Sequence, residues 1–168
     1  KSPSNQRGRD FAVMLKCLDE LGYAVEWRVI NASEYGYPQR RRRVFFIGYH
    51  KSTSIYKKIQ KDSLDEWIVK DGIMAKSFPI SNNFITEKHF DLNDDLKDIS
   101  DNFGIKEKIS PFMNSGVLFK GNIFTAKVNS NFDGKKATIK SILINEKDVP
   151  SEYYIDRDEL DKWEYLKG

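Results

Sequence analysis

A chain of 168 residues, 39% apolar and 32% charged with a net charge of +3, can bury one domain-sized core and keep a solvated surface. A mean hydropathy of −0.61, and no apolar run near the roughly 20 residues a spanning helix needs, exclude an α-helical membrane span. One cysteine excludes an intrachain disulfide and fits a reducing compartment, and the absence of a basic-then-apolar leader points to the cytoplasm. The charge is uneven: residues 1–50 hold nine Lys and Arg against five Asp and Glu, the remainder nineteen against twenty. A basic first third marks either a polyanion partner or a solvated face.

Residues 1–9 are loop chemistry, as of a linker cut from a longer protein. From Asp10 to Leu21 the apolar residues return at helical spacing. Phe11, Met14, Leu15, Leu18 and Leu21 fall on one face, and Lys16, Asp19 and Glu20 on the other. Asp10 is placed to cap this helix and Gly22 to end it. Cys17, at the edge of the stripe, reads as a packing thiol. Val25 to Ile30 alternates, with Val25, Trp27 and Val29 to one side, and predicts a strand. A polar loop from Asn31 to Gln39 follows, its path fixed by Gly36 and Pro38.

Four consecutive arginines, Arg40 to Arg43, then run without a break into Val-Phe-Phe-Ile-Gly-Tyr. That segment is apolar on both alternating sets of positions and predicts a strand covered on both faces. Alternation puts Arg41 and Arg43 on one face of it and Arg40 and Arg42 on the other. Guanidinium forks held at the end of a sheet suit phosphate, carboxylate or base-edge recognition.

Beyond His50 the chain turns polar and basic to Lys61. Ser63 to Val69 predicts a short helix capped by Ser63 and stopped near Gly72, and Asp91 to Asp101 an acidic, solvated connector. Gly116 to Val128 is the clearest hairpin, turning at Lys120-Gly121-Asn122, and Asp158 to Leu166 predicts a closing helix. His50 and His89 have no ligand spacing around them, so no metal site is expected.

Asn31-Ala32, Tyr35-Gly36, Pro38-Gln39, Arg41 and Arg43-Val44, followed by an apolar strand, together resemble the eighth conserved block of the DNA (cytosine-5) methyltransferases, of the bacterial restriction-modification type. The resemblance implies an α/β fold: a helix-strand-strand piece of a doubly wound methyltransferase sheet over residues 1–50, then a mixed α+β target-recognition region over 51–168, incomplete at its C-terminal end. Family members flip a cytosine out of duplex DNA, attack its ring with a cysteine and transfer methyl from S-adenosylmethionine. By resemblance, Arg43 reaches the flipped cytosine's carbonyl oxygen, Arg41 holds a neighbouring phosphate or the catalytic loop, and Gln39 braces the turn. An arginine beside a ring that gains electron density would stabilise it.

The Pro-Cys, Glu-Asn-Val and glycine-rich blocks of the family are absent from this chain. It is therefore expected to lack the nucleophile and the cofactor site, to be inactive alone, and to work with a missing N-terminal catalytic half in a bacterial cytoplasm. Arg7, Arg9, Arg40 and Arg42 are candidates for backbone contact with double-stranded DNA. Base contacts are expected from the hairpin and its loops, around Asn114 to Asn131, where Lys120, Asn122, Lys127, Asn129 and Asn131 are candidates for base edges or phosphates. The alternatives are a non-catalytic nucleic-acid-binding module, a subunit of a split methyltransferase, or a protein-interaction domain whose arginines meet acidic partners.

Overall fold

A computed structural model describes residues 6–59, 63–105 and 107–167, the side chains of 166 and 167 aside. The chain divides into two compact units, residues 1–136 and 137–168. Residues 1–5 of the expected opening loop, and 60–62 of the basic stretch, lie outside the described residues.

In the first unit, helix α1 (Arg9–Glu20) leads into β1 (Tyr23–Asn31), a 3-10 turn (Ala32–Tyr35) and β2 (Arg42–His50). Short helical turns follow at Leu64–Glu66 (α2), Trp67–Asp71 and Ile73–Ser77 (α3). Then come β3 (Thr86–Asp91), α4 (Leu96–Asn102) and the hairpin β4 (Ser115–Phe119) and β5 (Asn122–Lys127). The five strands form one sheet in the order β2-β1-β4-β5-β3, every pair antiparallel. The class is α/β, but the parallel ladders of a doubly wound sheet are not among the described strands. Only ten residues separate β1 from β2, too few for the crossover that a parallel pair requires. The sheet also crosses residue 50, since β1 pairs with β4 from Val25↔Leu118 to Arg28↔Ser115.

The doubly covered strand is β1, not β2. On one face Val25 and Trp27 pack with Ala12 and Leu15 of α1 and with Leu118 and Ile123. On the other, Ala24 joins Trp67, Ile68, Val117 and Phe124. β2 lies at the sheet edge, so the expected double burial is corrected: Val44, Phe45 and Phe46 remain 49%, 47% and 38% exposed. Phe46 touches Phe11 of α1 and Phe45 stacks near Phe78, yet neither neighbour covers the strand's free side.

Four other expectations are revised. Gly8, at φ +88°, stands at the start of α1 in the place foreseen for Asp10, which falls in the first turn. Lys16 is buried, donating to the Leu92 carbonyl at 3.1 Å, while Leu21 points outward: the helix is rotated from its expected face. The acidic connector contains α4, whose N-cap Asp95 accepts from the Asp98 N–H at 2.9 Å and whose Ile99 is buried beside Leu92. Ser63 makes no side-chain cap to α2. The hairpin is as expected, with Lys120 and Gly121 both in the left-handed region that a tight two-residue turn demands.

The second unit carries α5 (Ile139–Ile142) and α6 (Leu160–Lys167), the latter close to the closing helix expected from Asp158. Among the described residues no helix is long and apolar enough to cross a membrane, and no cluster of His, Cys, Asp or Glu could hold a metal.

Candidate functional site

The arginine run follows a turn built by its own sequence. Asn31 accepts from the Ser33 N–H and donates to Glu34 at 3.1 Å, which starts the 3-10 turn. Gly36 ends it at φ +87°, where its Ala32-directed amide closes the turn. An added Cβ there would stand 2.7 Å from both the Lys135 carbonyl and the Phe132 ring, so this position needs glycine for shape and for space. The Ala32 N–H then donates to the Arg41 carbonyl at 3.1 Å, and β2 pairs with β1 from Asn31↔Arg42 onward.

This register assigns Arg42 and Arg43 to faces; Arg40 and Arg41 precede the paired strand, so the face expected to hold Arg41 with Arg43 is not set by the ladder. Arg43 is opposite Ile30, on the side of Phe45, Phe78 and Met74; Arg42 is opposite Asn31, on the side of α1. Gln39, Arg40, Arg41, Arg42 and Arg43 are all exposed. The Arg43 guanidinium turns back onto the Arg42 carbonyl at 2.7 Å. Among the described residues no carboxylate pairs with any of the four. Four unneutralised guanidinium groups at one strand mouth repel one another, a cost that a polyanion would relieve.

Beside them lies an open cavity of about 910 Å³ at the end of the sheet, lined by Asn31, Arg42, Asn114, Lys127, Asn129 and Ser130 among others. Three of the predicted DNA contacts, Arg42, Lys127 and Asn129, thus share one wall system. Its corner is Asn114, which the sequence marks only as the boundary of the expected contact region. The Asn114 side chain both donates to the Val128 carbonyl (2.9 Å) and accepts from the Val128 N–H (2.8 Å). Its own carbonyl accepts from Val29 N–H at 2.7 Å, so one residue ties β1 to the end of β5.

The other predicted contacts are elsewhere. Lys120 and Asn122 sit at the far end of the hairpin, about 17 Å away along a five-residue strand. There Lys120 lies over the Phe119 ring, and Asn122 donates to the Lys120 carbonyl at 2.8 Å. Arg7 is exposed just before α1; Arg9 is engaged with Gln6 at 2.9 Å and with Asp10 at 3.0 Å.

Sequence reasoning also missed a buried charged pair on β1. Arg28, fully buried, donates to the Phe78 carbonyl at 2.6 Å, to the Met74 carbonyl at 3.2 Å and to the Ile68 carbonyl. Glu26, two residues earlier on the same face, accepts from the Tyr49 hydroxyl at 2.6 Å. Burial raises the Glu26 carboxyl above its ordinary range against the opposing pull of Tyr49 and Arg28. Burial likewise lowers the Arg28 guanidinium, with the Glu26 charge opposing it.

The family model of the C-5 cytosine-specific DNA methylases matches residues 3–168. The Type II methyltransferase M.Sau3AI of Staphylococcus aureus is 43% identical over 172 aligned positions, which take in 100% of this chain and 39% of that protein. M.NlaIV of Neisseria lactamica is 44% identical over 52 positions, 31% of this chain and 12% of its own. M.HpaII of Haemophilus parainfluenzae is 28% identical over 90, 52% of this chain and 25% of its own. No solved structure matches. The chain spans about two fifths of the length of M.Sau3AI and less of the others.

Proposed function

The chain belongs to the C-5 cytosine-specific DNA methylase family, and from that premise we propose that it supplies the target-base arginines and the target-recognition region of a DNA (cytosine-5) methyltransferase. The observation that carries this reading is the open cluster Arg40–Arg43, with no carboxylate paired to it among the described residues, beside a cavity that Arg42, Lys127 and Asn129 line together. Arg42 and Lys127 meet backbone phosphates of duplex DNA, and Asn129 presents its amide group to base edges. Arg43 donates to the carbonyl oxygen of an everted cytosine, Arg41 to an adjoining phosphate, and Gln39 supports the turn between them. A guanidinium there opposes the electron density that builds on the ring when a nucleophile adds.

The division of roles at residue 50, methyltransferase before and recognition after, is one of chemistry; the sheet itself spans it. The exposed edge of β2 supports a further point. A nine-residue strand with a free ladder edge and three half-exposed apolar side chains is the expected seam for the rest of the methyltransferase sheet, whose parallel strands add there. S-Adenosylmethionine supplies the methyl group. Its sulfonium does not suit a cavity whose charged lining is Arg42, Lys127 and a single carboxylate, Glu34. The cofactor contacts belong to the part of the protein that this chain does not span.

The match to M.Sau3AI takes in the whole of this chain, residues past 50 included, whereas the match to M.NlaIV takes in less than a third of it. We therefore assign this protein the DNA target of M.Sau3AI. The test uses the whole protein with duplex DNA and S-adenosylmethionine. Cytosine methylation is expected, after which M.Sau3AI incorporates no further methyl into the same DNA. Full incorporation by M.Sau3AI would refute the shared target, and no methylation at all would refute the enzyme.

A further inference from the structure

Two stretches far apart in the sequence are joined behind the arginine turn. The segment from Trp67 to Pro79 is held by its backbone carbonyls: Arg28 of β1 takes those of Ile68, Met74 and Phe78, and the Tyr35 hydroxyl donates to that of Pro79 at 3.3 Å. The next residues hand the connection on. The Asn131 N–H donates to the Pro79 carbonyl at 2.9 Å, the Ser81 N–H donates to the Asn129 carbonyl at 3.0 Å, and Ile80 bridges Ser130. Asn129 and Ser130 face the cavity that Arg42 also lines. The loop then folds back on its anchor: the Phe132 ring meets Tyr35 edge-on at 6.1 Å between centroids and fills the space a Cβ at Gly36 would need.

The ring is closed. Tyr35 and Gly36 lie in the turn that delivers Arg40 to Arg43, so a shift of loop 129–135 that carries Phe132 with it changes the packing on that turn. Close-packed interiors transmit such displacements rather than absorb them. We propose that Phe132, seated on Tyr35 and Gly36, is a latch through which engagement of DNA by loop 129–135 sets the arginine turn, and that Arg28, Tyr35 and Phe132 are positioning residues for target selectivity. The proposal rests on the methyltransferase reading above and adds to it how recognition and chemistry are coupled.

The experiment compares the whole wild-type enzyme with Phe132→Ala and Tyr35→Phe. It measures kcat, KM and Kd on duplex DNA carrying the target and on the same duplex with one base pair of the target changed. Thermal unfolding is followed in parallel. Each variant should lose about tenfold in kcat on the true target with Kd within about threefold, and its preference over the altered duplex should shrink. Phe132→Leu, which refills the space, should recover most of both. A folded variant with kcat and preference near wild type would overturn the latch, and so would one that loses Kd and kcat in proportion. Tyr35→Phe removes one hydroxyl from a retained ring and keeps the test decisive should Phe132→Ala fail to fold. An inactive wild type would overturn the methyltransferase reading itself; an active one with unaffected variants would overturn the latch alone.

Discussion

Arg42 and Arg43 are neighbours in sequence and differ in everything the sheet gives them. Pairing opposite Asn31 turns Arg42 toward the cavity with Lys127, while pairing opposite Ile30 turns Arg43 to the other face. The assigned roles follow that split: phosphate contact for Arg42 and Lys127, the reacting base for Arg43. Arg42→Ala or Lys127→Ala in the whole enzyme should weaken DNA binding on any sequence. Each should also flatten the slope of log K against log salt by about 0.9 for every phosphate it leaves unneutralised. An unchanged slope from a salt titration would remove either residue from the interface. Glu26 gives a prediction of a different kind. Its carboxyl is raised by burial above an ordinary value near 4.5, so it favours folding below that pH and loses the contribution as pH rises through the folded value. Stability should therefore fall with rising pH over that window, and Glu26→Gln should flatten the fall; denaturant midpoints at successive pH values measure it. The pair Glu26 and Arg28 was hidden in the sequence for a plain reason. Charges at alternate positions of a strand read as its solvent face, and only the segment from Trp67 to Phe78, over 40 residues on, reveals that the face is covered.

Among the elements, the most legible were those whose partners are local. The β4–β5 hairpin follows from its alternation and its Lys120-Gly121 turn, and α1 from its spacing and Gly22. What escaped was non-local. Nothing in Val25 to Ile30 announces β4 as its neighbour, and the amphipathic stripe of α1 was misjudged because Lys16 spends its ammonium on the Leu92 carbonyl. Strand β2 shows the opposite case. Its composition called for burial on both faces, and the seam proposed above would supply that cover. Burying Val44, Phe45 and Phe46 would contribute up to about 1.5–3 kcal/mol each when taken from full exposure, less from their half-exposed state. Hydrogen exchange should thus find every second β2 amide fast in the 168-residue chain and protected in the whole protein. Equal, slow exchange in both would mean that no strand adds at this edge.

For the molecule as a whole, the arginine turn, the cavity wall and loop 129–135 come from three places in the chain and meet at one end of one sheet. The family of the chain was legible, because the run from Asn31 to Val44 is dense in its pattern, and the family model bears it out. Which of the candidate DNA contacts stand beside the arginines was not, because Lys120 and Asn122 look as suitable in sequence as Lys127 and Asn129 until the register sends the two pairs to opposite ends. All of these roles depend on Arg43 serving an everted cytosine as a nucleophile adds to its ring. With S-adenosylmethionine present, a duplex target with fluorine at C5 of that cytosine makes the step visible: once methyl is transferred to C5 the adduct has no proton there to lose, cannot expel fluorine as a cation, and accumulates. The decisive quantity is the rate of adduct formation by the whole enzyme and its Arg43→Ala variant, alongside their affinities for the same duplex. A wild-type adduct is expected, with the variant at least about 100-fold slower and its Kd within about threefold. A variant that forms the adduct at the wild-type rate, or loses affinity in step with rate, would contradict that role.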